Sequence, residues 1–426
     1  MLFALVFAID VACPSGMTAD SIRQVPTAVA IVHFHTISLD HLRGLLINPG
    51  VAVTTVHGSI YPYFPWAGSL FAVPWVVAYD LAHKLGVGPG SIGLLRTGHD
   101  WEIQVLSMST VVAATTVVVY WACLRLLRLE PWSRRRRWAG VVALAFAFTT
   151  PAWSTASRSL WEHGPSMFCL SIALLCAVRA QQGAPGWAGM GAALAGAYAM
   201  RPTDAVPIIV LGIWMLGWQR RHILAAVLGG FLPAAIFVSV NIAAYHQLLT
   251  PYYTQGQSFA LTTTAFVAAA GNLISPSRGL LVFVPLALLS VVGVALRIRE
   301  RSINAFWVAV AAVPVAHWLL ISGFKHWWAG DAYGPRLWTD LMPLFVLLAL
   351  PAVEWLAERR FQRQRVVTSL VAVGLAWSFV IQAQGAILRS AWCWNNEPTD
   401  VDTHSSKVWS WSDPQFARGL RTLIWG

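Results

Sequence analysis

The chain reads as an all-α polytopic membrane protein with about 11 transmembrane helices and a long first outer loop bearing interfacial helices. Three observations lead there. Of 426 residues, 57% are hydrophobic and 11% charged, with a mean hydropathy of +0.60; a soluble domain carries about 25% charged residues. Apolar runs of roughly helix-spanning length recur along the chain. Basic clusters lie between those runs, which marks loops on the positive side of a membrane. The net charge of +11 would also suit nucleic acid, but arginines wedged between apolar segments point to the bilayer as partner and not to nucleic acid. The five cysteines are odd in number and scattered, so they form no disulfide framework.

In chain order, the first run, 1–16, is short against the ~20 residues a spanning helix needs, and it has no basic leader segment. The expectation is that the true start lies upstream of Met1. Residues 17–102 then form the longest polar stretch. A connection of that length is usually functional or disordered, and this one is too aromatic and apolar to be disordered. The remaining runs fall at 103–124, 138–156, 164–181, 186–200, 205–219, 222–245, 279–296, 303–322, 337–356 and 366–386. The run 66–85 contains Pro74, Asp80, His83 and Lys84, and reads as an interfacial helix.

Charge supports that choice. With 66–85 lying on the surface, Arg125–Arg137, Arg179, Arg220–Arg221, Arg297–Arg301 and Arg359–Arg365 all fall on one side. That is the positive-inside pattern, giving an inner (plasma) membrane protein with a cytoplasmic N-terminus and an outer C-terminus. Residues 1–386 form a transmembrane catalytic domain and 387–426 an outward-facing tail. No soluble domain and no internal repeat is visible.

The same topology gathers the polar clusters on the outer face: Asp20 and Asp40, RSLWEHGPS (158–166), RPTD (201–204), YHQLLTPYYTQGQS (245–258), SPSRG (275–279) and KHWWAGDAYGPR (325–336). Charge at membrane depth is expensive and usually functional or paired. Arg201, Arg278, Lys325 and Arg336 sit at outer helix ends, where guanidinium forks suit phosphate oxygens. The blander reading is that each arginine snorkels, or pairs with Asp204 or Asp331. Asp20, just past the first helix, is placed to act as a general base. Asp40 could share that role or serve as a helix cap. His163 could orient an acceptor or meet a leaving phosphate, and Asp331 and Tyr333 belong to the same substrate-binding set. Trp327, Trp328, Tyr252 and Tyr253 could form a platform for a sugar ring or a polyprenyl chain, or an interfacial belt. No cofactor is called for. A divalent metal could be held by His33, His35 and His57 with Asp20.

At these residues the chain resembles the GT-C class of multi-spanning glycosyltransferases, closest to the protein mannosyltransferase and aminoarabinose transferase branch and its bacterial relatives. The resemblance covers most of the length. It rests on Asp20, the YPYFPWAGSLFAVP segment, SLWEHGPS, RPTD, SPSRGLLVFVP, WWAGDAYGPRLWTDLMP and the C-terminal WNNEPTDVDTHSSKVWSWSDPQFARGL. It implies inverting transfer of a sugar from a polyprenyl-phosphate donor to an envelope glycan, lipid or protein acceptor, with Asp20 as base. Many members carry two adjacent acids at that position, whereas this chain reads Ala19-Asp20-Ser21. Three other readings stay open: a transporter or flippase of a lipid-linked glycan, a non-catalytic subunit of an envelope-assembly complex, and an O-antigen polymerase or ligase. A transporter would call for inverted repeats and polar residues at the midplane; here they cluster at one face.

Overall fold

A computed structural model describes residues 1–16, 20–255, 264–358 and 362–425. The first residues of the outer loop (17–19), the end of the 245–258 cluster and Arg359 and Arg360 of the last basic cluster lie outside the described residues. The described chain is mostly helical, with one small hairpin as its strand structure. Six described helices are long and apolar enough to cross a membrane: Trp101–Leu126, His163–Gln181, Arg220–Tyr245, Ala305–Ser322, Arg336–Glu358 and Arg365–Ile387.

Eleven spans, the number the apolar runs suggest, are therefore not found. The reason is length and interruption, since crossing takes ~20 residues at 1.5 Å each. Leu2–Ala12 has 11 residues, and Trp187–Met200 and Ala205–Trp218 have 14 each. The run 279–296 breaks at Pro285 into Leu280–Phe283 and Leu288–Arg299. The run 138–156 belongs to Trp132–Thr149, which opens on four arginines and stops before Pro151. As expected, 66–85 makes no span: it folds as the turn Trp66–Phe71 and the 12-residue helix Val73–Lys84.

Backbone contact ties the shorter helices in. A Cβ added to Gly191 would lie 1.8 Å from the Ala226 carbonyl oxygen, and one on Gly229 would lie 2.0 Å from that of Ala188. Trp187–Met200 and Ile223–Tyr245 thus pack through small residues, as membrane helices commonly do.

The long helices share a polarity. His163–Gln181 starts among the polar loops at His163 and carries Arg179 in its last turn. Trp101–Leu126 has Gln104 at the polar end and Arg125 at the other. At that basic end Arg134 donates to the Ala357 carbonyl, near the finish of Arg336–Glu358. One end of the bundle is therefore basic and the other holds the polar loops.

The stretch 20–100 folds as a layer over the polar end. Its helix Gln24–Phe34 is mostly buried, with Val25, Val29, Leu42, Val76, Leu94 and Leu160 in one apolar cluster. Strands Val53–Val56 and Ser59–Pro62 pair antiparallel, Val53 opposite Pro62 and Val56 opposite Ser59. The two-residue turn needs positive φ at both positions, supplied by His57 (48°) and Gly58 (85°). Trp66 Nε1 donates to Asn241 Oδ1 at 2.9 Å and the Tyr245 hydroxyl to the Pro62 carbonyl at 3.0 Å, docking the layer on Ile223–Tyr245. Residues after 387 fold back onto the same end, burying Trp394, Val401 and Val408 against Trp327 and Trp328.

Candidate functional site

Between the loop layer and the helix ends lies a cavity of about 680 Å³. Asp20, Glu162, His163, Arg201, Asp331 and Arg336 all line it, and Tyr63, Tyr252 and Tyr253 contribute aromatic wall. Local structure brings them there. Gln104 accepts from the Ser21 hydroxyl at 2.7 Å and from the Leu160 amide at 3.2 Å, while Ser21 and Ser159 share a 2.5 Å hydroxyl contact. One side chain of Trp101–Leu126 thereby clamps the segments carrying Asp20 and Glu162 side by side. Arg158, fully buried, secures the same junction by donating to the Cys13 carbonyl at 2.9 Å and the Ser15 carbonyl at 3.3 Å.

The charges form a chain of pairs. Arg336 Nη2 donates to Asp20 Oδ2 at 2.5 Å, and its Nε to His163 Nε2 at 3.1 Å, with the guanidinium stacked 4.1 Å from the Trp161 ring. That last contact is a cation–π arrangement. Arg201 Nη1 donates to Asp340 Oδ2 at 2.5 Å, while His163 Nδ1 stands 3.7 Å from Asp340 Oδ1. Asp204 accepts instead from the Ser166 hydroxyl. So Arg201 pairs with Asp340 and Arg336 with Asp20, rather than with the Asp204 or Asp331 that lie closer to them in sequence.

Glu162 is the acid that sequence reasoning missed. It is 5% exposed, lines the cavity, and makes no side-chain hydrogen bond to another of the described residues. Burial first, then the neighbouring Asp20 charge, pushes its carboxyl up to about 7 against the pull of Arg336. A signal was present: Glu162 immediately precedes His163 at a helix start, flanked by the apolar Leu160-Trp161 pair. Asp340 was missed as well, although an acid four residues into an apolar helix needs a partner. Tyr252 is likewise pushed up to about 12, by burial and then by Glu162 and Asp20.

Four residues of the expected site lie elsewhere. Asp40 pins the hairpin, accepting from Arg43 Nη2 at 2.7 Å, the Ser38 hydroxyl at 2.8 Å and the Ile60 amide at 3.0 Å. Burial works against its charge, but these bonds hold the carboxyl below the usual range. Arg278 is buried under the C-terminal segment, donating to the carbonyls of Trp328 (2.6 Å) and Gly330 (3.1 Å), to Asn395 Oδ1 (2.8 Å) and to Gln415. Burial pushes this guanidinium down to about 9. Tyr333 is fully buried against Phe283 and Trp392, its hydroxyl donating to the Ile381 carbonyl at 2.8 Å. Lys325 is exposed and outside the cavity lining.

Asp331, on the cavity wall, accepts from Asn396 at 3.3 Å, and burial raises its carboxyl. Of the aromatic platform, Tyr252 and Tyr253 reach the cavity, whereas Trp327 and Trp328 pack with the tail. The imidazoles considered for a metal are dispersed: His33 pairs with Asp80 at 2.8 Å and the His57 ring lies tilted against His246, centroids 4.8 Å apart. Among the described residues no group of three or more His, Cys, Asp or Glu is placed to hold a metal ion. No protein-family model matches this chain, and no curated protein or solved structure matches it.

Proposed function

We propose that the protein is a membrane glycosyltransferase of GT-C-like organisation, moving a sugar from a polyprenyl-phosphate donor to an acceptor at the outer membrane face. The observation that carries this reading is the Asp20–Arg336 pair beside Glu162 in a cavity large enough for a sugar, at the non-basic end of the bundle. Arg336 engages Asp20 Oδ2, and no hydrogen bond occupies Oδ1 among the described residues. That oxygen can take the proton of an acceptor hydroxyl as the hydroxyl oxygen attacks the anomeric carbon. The bond from that carbon to the phosphate oxygen breaks on the opposite side, and the electron pair leaves with the phosphate. Arg201 has one guanidinium nitrogen on Asp340 and the rest without a protein partner among the described residues, so it can meet the departing charge. His163 orients Arg336.

In proteoliposomes, label should pass from a polyprenyl-phosphate-linked sugar to an acceptor, and Asp20→Asn should lower turnover by about 10²–10⁴-fold while donor still binds. Full activity in Asp20→Asn would remove Asp20 as the base, and no transfer from any polyprenyl-phosphate sugar would remove the class.

A further inference from the structure

A second concavity lies between Trp132–Thr149, Leu288–Arg299, Met342–Glu358 and the helix that follows. It is narrow, about 130 Å³, and its walls are almost entirely aliphatic and aromatic, among them Val142, Phe146, Leu289, Phe345 and Val353. We propose that this crevice holds one acyl chain of an anionic phospholipid, with the headgroup phosphate on the arginines at its basic end.

Three observations commit the occupant. On Trp132–Thr149 the lining positions are Trp138, Val141, Val142, Ala145, Phe146 and Thr149, a helical stripe. One turn back along that stripe lie Arg134 (i−4 from Trp138) and Arg137 (i−4 from Val141), so the apolar groove runs directly into the basic cluster. Charge is also available there. Arg136 and Arg137 are exposed and have no ion-pair or hydrogen-bond partner among the described residues, whereas Arg135 is spent on Glu130 and Trp132. Length matches as well: from Trp138 to Thr149 the helix rises about 16 Å at 1.5 Å per residue, close to half of a ~30 Å hydrocarbon core. A groove one leaflet deep with guanidinium groups at its mouth fits a two-chain anionic lipid of that leaflet. A long polyprenyl chain would overrun it.

Native mass spectrometry of the full-length protein decides the matter, using phosphatidylglycerol and phosphatidylcholine of identical chains. The wild type should retain one phosphatidylglycerol at least fivefold over phosphatidylcholine. Arg137→Gln, on the exposed arginine that continues the stripe, should bring that ratio near one. Ala145→Phe with Ala349→Phe should abolish retention of either lipid. Equal retention of both lipids by the wild type overturns the proposal, as does an arginine variant that keeps the preference. So does displacement of the lipid by an equimolar polyprenyl phosphate. Should the filled variant not fold, the Arg137 variant still separates these outcomes.

Discussion

Arg336 and Arg278 look alike in the sequence, each beside a glycine or proline near the start of an apolar run, yet they end in opposite surroundings. Arg336 faces a cavity and meets ionisable partners, Asp20 and His163. Arg278 meets neutral ones, three carbonyls and the side-chain amides of Asn395 and Gln415. A guanidinium wrapped in carbonyls has its donors consumed and no opening for a ligand. One that shares a cavity with carboxylates can pass charge to whatever enters. An arginine's partners, more than its depth, thus separate fastening from chemistry.

The contrast is broken most directly by replacing each arginine with glutamine. Arg336→Gln should lower turnover per folded molecule by about 10²–10³-fold, the usual effect of losing one preorganised electrostatic partner. Arg278→Gln should leave turnover within about threefold. Equal losses in transfer assays normalised to folded protein would mean that both arginines do the same work.

Stability should invert the order. Arg278→Ala strands several buried acceptors and should cost on the order of 3 kcal/mol, since bonds to a charged donor contribute about 1.5–3 kcal/mol each. The C-terminal segment should loosen first, read as faster proteolysis around Lys407. A tail as resistant as in the wild type would show that Arg278 does not fasten it.

Glu162, among the carboxyl groups of the cavity, sharpens the comparison through pH. The folded-state carboxyl of Glu162 lies near 7, above its unfolded value of about 4.5, so the folded protein binds the extra proton. Its stabilising contribution is full below about 4.5 and is lost as pH rises to about 7. Glu162→Gln should therefore be more stable than the wild type at pH 8, by on the order of 3 kcal/mol at most, with no difference near pH 4. Thermal unfolding in detergent across that range measures it, and a pH-independent difference would place Glu162 in an unperturbed setting.

Asp40 supplies the smallest effect. Its partners are the hairpin and Arg43, half open to solvent. Asp40→Asn should cost about 1 kcal/mol or less after solvent screening and leave transfer unchanged. A large loss of turnover would move the base from Asp20 to Asp40.

Much of the cavity wall was legible as a set of residue types. Asp20, His163, Arg201, Asp331 and Arg336 could be chosen because charges beside apolar runs need a purpose. Asp40 and Arg278 met the same criterion and serve as fasteners, since composition cannot tell a ligand-facing donor from one consumed by carbonyls. Glu162 escaped because its role depends on Asp20, far off in the chain, whose segment is brought beside it through Gln104 and Ser21.

The sequence by itself determined the helical class, the apolar runs, the lack of a spanning helix over 66–85 and the segregation of basic clusters from polar loops. These follow from local composition, because a bilayer admits apolar helices and penalises charge wherever it occurs. Only the tertiary structure decided how many runs become long helices, which acid meets which arginine, and where the tail lies. The last two depend on contacts between residues distant in the chain: the Gln104 clamp and the carbonyl cage around Arg278. No periodicity encodes such contacts, since they arise only when the packed helices bring loop residues within hydrogen-bonding reach.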